Sequence, residues 1–95
     1  MSSRPVPSIP ELETLIIRTL AVVIDEDVEV LRFELRRRGD SMPADSYQLL
    51  EVMEKLQTTL SVDFDINKFE GYLKSVRRAA RRLHSVLSQH SRAAA

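Results

Sequence analysis

Apolar residues recur at helical spacing in two segments that each begin with a helix-capping sequence. Ser8 opens a Ser-x-x-Glu capping box, and the apolar positions that follow it predict a helix over 9–23. Asp45 opens an Asp-x-x-Gln box, and a wider apolar stripe after it predicts a helix over 46–60. Each box supplies partners for backbone N–H groups that the first turn leaves unbonded.

The remainder of the chain predicts two further helices and one irregular connection. A short third helix is expected at about 67–72, and Ser75 caps a last helix that carries apolar residues inward. Residues 25–44 mix acids, apolar residues and an arginine run, so a long loop and a short extra helical turn both remain open there. We therefore predict an all-α, four-helix bundle with a short third helix and a long loop between helices one and two.

Composition limits the chemistry. The 95 residues permit one small domain, which we place at 9–89 between a flexible lead (1–8) and a flexible tail (90–95). The absence of cysteine excludes disulfides, thiolate zinc sites and a cysteine nucleophile, and two glycines are too few for a phosphate-binding glycine loop. No apolar run approaches a membrane span, so we expect a soluble, cytoplasmic protein, which we take to be a monomer. His84 and His90 do not share a helix face, so we expect no metal site.

Charge is divided unequally along the chain. Residues 1–70 carry all 14 acids against 8 bases, whereas residues 71–95 carry 6 bases and no acid. Such a division indicates either two partner surfaces of opposite sign or two faces that partly neutralise one another.

The segment around Ser46 contains the strongest motif. Asp45 precedes the serine, apolar residues follow it at +1, +4, +6, +7, +10 and +14, and Glu51 stands at +5. This pattern resembles the phosphopantetheine attachment region of the acyl carrier protein family, and the flanking helices extend the resemblance over roughly 9–88. A second pair, Asp40-Ser41, does not continue in this register, since Asp45 falls at +4 and Gln48 at +7.

The resemblance implies a carrier rather than an enzyme. Ser46 would hold a 4'-phosphopantetheine arm taken from coenzyme A, and Asp45 would help to position the phosphopantetheinyl transferase. The arm would carry acyl, aminoacyl or polyketide intermediates as thioesters between loading and transferring enzymes. The implied partner surface of the domain comprises Tyr47, Glu51, Val52 and Glu54.

Several departures from the family pattern favour a specialised carrier of lipid or secondary metabolism. Pro43 stands where the family usually has glycine, Tyr47 replaces the usual leucine, and the last helix is basic. An alternative class is a basic-helix module that binds nucleic acid or an acidic protein through 77–82, although a solvated helix face explains those arginines more simply. A carrier-like scaffold that is never modified is a third interpretation.

Overall fold

The computed structural model describes the backbone of residues 6–69 and 71–94, and the side chains of 6–69 and 71–89. Within these ranges the chain forms four α-helices and one short 3-10 helix, and it contains no strand. The α-helices are α1 (Ile9–Val23), α2 (Val28–Arg37), α3 (Ser46–Leu60) and α4 (Val76–Ala94), and the 3-10 helix is Ile66–Phe69. The prediction of an all-α, four-helix domain is confirmed.

The helices α1 and α3 have the predicted limits, and both start at the predicted capping boxes. At α1 the Ser8 hydroxyl accepts a hydrogen bond from the Glu11 N–H at 3.3 Å, and the Glu11 carboxylate accepts one from the Ser8 N–H at 3.0 Å. At α3 the corresponding bonds between Asp45 and Gln48 measure 2.8 and 3.0 Å. Local sequence alone fixes these two starts.

The predicted long loop between the first two helices contains α2. Asp27 caps this ten-residue helix by accepting hydrogen bonds from the N–H groups of Glu29 and Val30. Leu31 and Leu35 lie one turn apart and are the two residues of α2 that are buried. Of the two alternatives left open by the sequence, the helical one is correct, and it is a complete helix rather than a single turn. The short third helix predicted at about 67–72 is a 3-10 helix that ends at Phe69, and residues 71–74 form turns.

Helix α1 is the centre of the bundle. It packs most extensively on α4, then on α3, and least on α2. The core consists mainly of leucine, valine and alanine from these helices, together with Phe64 and Phe69, whose ring centroids lie 5.0 Å apart. Phe69 is fully buried, so the 3-10 segment is fixed to the core by its last residue.

A long-range contact joins the α2–α3 connection to the start of α4. The Asp40 carboxylate accepts hydrogen bonds from the Ser75 hydroxyl at 2.9 Å and from the Arg77 N–H at 2.7 Å. Backbone hydrogen bonds from Met42 to Lys74 and from Val76 to Asp40 reinforce the contact. Asp40 therefore caps a helix that begins more than thirty residues after it.

The predicted terminal segments are only partly described. Residues 1–5 of the predicted lead lie outside the described residues, and 6–8 precede α1 without regular structure. At the other end, the backbone of α4 continues to Ala94, beyond the predicted domain limit at 89. The side chains of the predicted tail, 90–95, lie outside the described residues.

Candidate functional site

Ser46 is the first residue of α3 and is exposed to solvent. Its hydroxyl forms no hydrogen bond with the described part of the chain. A serine at this position is held by the helix backbone while its oxygen stays accessible. The N-terminal end of the helix dipole also favours negative charge placed on that oxygen.

Asp45 fixes the start of the helix that presents Ser46. Its carboxylate accepts the Gln48 N–H, so the side chain folds over the first turn of α3. The residue is exposed and adjacent in sequence to the serine. The capping function that the sequence predicted for Asp45 is confirmed, whereas its role toward a transferase stays a prediction.

The residues Tyr47, Leu50, Glu51 and Glu54 form an exposed surface, which we call the α3 outer face. Their spacing places them on one side of the helix, within two turns of Ser46. Tyr47 is 86 % exposed and Leu50 is 41 % exposed, and both glutamates are exposed. The face thus combines two exposed apolar side chains with two carboxylates, a composition that suits a protein-binding surface.

Val52 does not lie on this surface. It is only 2 % exposed and packs in the core with Met53 and Leu56, so the surface contact predicted for Val52 requires correction. Leu50 occupies the exposed position instead. The helical period would have allowed this distinction, because Val52 shares a face with Leu56 whereas Leu50 shares one with Glu54.

Ser41, the competing serine, is held in a different setting. It is exposed, but it forms an isolated antiparallel bridge with Ser75 and does not start a helix. On either side of it, Asp40 caps α4 and Met42 is buried in the core. Ser41 therefore lacks the first-turn position on a helix that Ser46 has.

The basic side chains of α4 that the structure describes do not neutralise the acidic part of the chain through direct contacts. The described residues form one ion pair, between Arg32 Nε and Glu29 Oε1 at 4.0 Å, and it lies within α2. Arg82 packs over the ring of Tyr72, with its guanidinium carbon 5.4 Å from the ring centroid. The arginines Arg77, Arg78 and Arg81 line a groove shared with α2, a feature that the sequence did not reveal.

The comparisons with known proteins are negative. No family model, no curated protein and no solved structure matches this chain. The resemblance to acyl carrier proteins therefore rests on the sequence around Ser46 and in the flanking helices, and it stays a prediction. Among the described residues, no three histidines or carboxylates form a cluster that would hold a metal ion. The described helices also include none of the length and apolarity that a membrane crossing requires.

Proposed function

We propose that this protein is an acyl carrier protein whose 4'-phosphopantetheine arm is attached to Ser46. The observation that carries the proposal is the position of Ser46: an exposed, unbonded hydroxyl on the first residue of a capped helix. The family-like register after it places apolar residues both in the core and on the outer face of the same helix. The cargo would be an acyl, aminoacyl or polyketide thioester in a specialised pathway.

The attachment step requires only that the hydroxyl reach a transferase. The Ser46 oxygen attacks the phosphate of coenzyme A that bears pantetheine, and a new O–P bond forms there. The bond from that phosphate to the adenosine bisphosphate leaving group breaks, and a base of the transferase takes the serine proton. The carrier performs no acid–base step, so it needs a fixed and accessible oxygen rather than an activated one.

The α3 outer face supports the same proposal, because it offers partner enzymes an exposed docking surface. A carrier is handed from enzyme to enzyme, so its docking surface must lie near the arm and remain exposed. Tyr47 and Leu50 can enter an apolar depression on a partner, while Glu51 and Glu54 can attract basic residues around it. These side chains lie on the helix that begins at Ser46.

The experiment is intact-mass measurement after incubation with coenzyme A and a broad-specificity phosphopantetheinyl transferase. The wild-type chain and Ser41→Ala should each gain one phosphopantetheine group, and Ser46→Ala should gain none. Modification that persists in Ser46→Ala and is lost in Ser41→Ala would assign the other serine. If folded wild-type protein stays unmodified with several transferases, the scaffold interpretation replaces the carrier proposal.

A further inference from the structure

A groove of about 580 Å³ lies between α2 and α4. Its apolar lining comes from Ile17 of α1 and Leu35 of α2. Its cationic lining comes from five arginines, two on α2 and three on α4: Arg32, Arg36, Arg77, Arg78 and Arg81. The volume falls in the range of small-molecule sites.

Most of this positive charge has no protein partner within the described part of the chain. Arg32 contacts Glu29 at 4.0 Å, but Glu29 is largely exposed and such a pair contributes little. Among the described residues, Asp40 is the one acid that lines the groove, and its carboxylate already caps α4. Five guanidinium groups therefore face one engaged carboxylate.

The start of α4 adds a second source of positive potential. Its first turn carries Arg77 and Arg78 and no acid, which is the reverse of the arrangement that a helix dipole favours. These two arginines lie where the start of α4 borders the groove. The Asp40 carboxylate offsets part of the helix dipole, and a bound anion would compensate the arginines.

We propose that this groove binds a small molecule that carries a diphosphate group. Arginine offers a planar pair of N–H donors that fits two phosphate oxygens, and arginines from two helices can contact both phosphates of one ligand. An adjoining groove of about 500 Å³ shares Arg78 and Arg81 and is lined by Tyr72 and Gly71. It provides space for the organic part of the ligand.

The geometry favours a small molecule over a nucleic acid. The arginines face a groove bounded by two helices rather than forming an open basic stripe along one of them. Among the described residues, no aromatic ring lines the groove between α2 and α4, and the adjoining groove offers the single ring of Tyr72, over which Arg82 already packs. Single strands bind instead by stacking successive bases on several aromatic side chains. The proposal is independent of phosphopantetheine attachment, because neither Ser46 nor the α3 outer face contributes to the groove.

The test is isothermal titration of the full chain with inorganic pyrophosphate and with adenosine diphosphate, at matched ionic strength. The groove variant is Arg36→Gln, Arg77→Gln and Arg81→Gln combined. The matched control is Arg37→Gln, Arg38→Gln and Lys74→Gln, which removes the same charge from exposed residues outside the groove. Circular dichroism confirms that each variant keeps its helical content.

Both ligands should bind wild type and the control alike. Binding to the groove variant should weaken by roughly a hundredfold or more, because the variant removes three of the five arginines that line the groove. Binding should also persist in Ser46→Ala, which separates this proposal from the carrier proposal. Absence of binding to wild type would overturn it, and so would equal weakening in both triple variants. Tighter, salt-sensitive binding of a DNA or RNA oligonucleotide than of either diphosphate would assign the surface to nucleic acid instead.

Discussion

Replacing Asp40 by alanine should remove the contact that joins the α2–α3 connection to the start of α4. The carboxylate accepts hydrogen bonds from Ser75 and from the Arg77 N–H, the latter at 2.7 Å. Loss of a helix cap costs about 1 kcal/mol, and a hydrogen bond to a charged group contributes about 1.5–3 kcal/mol. Because Asp40 is partly exposed, we expect the lost contacts to cost about 2 kcal/mol.

Backbone strain adds to this cost, because Asp40 has a φ of 74°. Alanine tolerates the left-handed region poorly, which costs about 1 kcal/mol more. Asp25 provides a matched control: its φ is 55°, and its side chain bonds none of the described residues. Asp25→Ala should therefore lose about 1 kcal/mol and Asp40→Ala about 3 kcal/mol. Asp40→Asn keeps an acceptor oxygen and tolerates positive φ, so it should lose less than 1 kcal/mol.

Urea unfolding followed by circular dichroism measures these differences as shifts in the midpoint at constant slope. In thermal unfolding, a 2 kcal/mol difference between the two alanine variants should separate their midpoints by roughly 8–16 °C in a domain of this size. Equal destabilisation by Asp25→Ala and Asp40→Ala would show that the long-range cap contributes nothing and that backbone strain alone accounts for the loss.

Three further predictions concern other parts of the molecule. Glu51→Lys should slow loading by the transferase, whereas Glu29→Lys, the same charge change on α2, should not. Equal effects of the two substitutions would show that the transferase does not dock on the α3 outer face. Desolvation and the neighbouring charges of Glu34 and Asp27 raise the pKa of Glu26 above its ordinary value, so the contribution of Glu26 to stability falls as pH rises through that pKa. Glu26→Gln should thus raise the thermal midpoint slightly at neutral pH and change it little in acid. A rise in the midpoint that occurs only in acid would contradict the raised pKa of Glu26. Phe69→Ala should lower the free energy of unfolding, measured in urea, by about 3–5 kcal/mol. A decrease of less than about 1 kcal/mol would show that Phe69 does not fix the 3-10 segment to the core.

The helices that the sequence predicts correctly are those whose signals are local. Ser8 and Asp45 each begin a capping box immediately before a broad apolar stripe, and the structure has both helices at the predicted limits. The position of Ser46 as the first residue of α3 is predicted from the same capping box. Its exposure results from its place on the first turn, where the stripe has not yet begun.

The features that the sequence does not reveal depend on narrow patterns or on distant residues. Helix α2 buries only Leu31 and Leu35, and charged residues surround them, so its stripe is too narrow to stand out. The one local indication of α2 in the sequence is Asp27, a residue type that commonly caps the start of a helix. The cap of α4 by Asp40 and the arginine groove each join residues from separate parts of the chain, and no local pattern predicts which of them meet.

The most direct measurement of the central claim is to locate the modification on the wild-type chain. The protein is loaded by a phosphopantetheinyl transferase, digested, and fragmented in the mass spectrometer to find the residue that carries the added group. We expect the whole phosphopantetheine mass on Ser46, on the peptide that also contains Tyr47. A modified Ser41, or a fully unmodified Ser46 in folded protein, would contradict the assignment of this protein as a carrier that acts through Ser46.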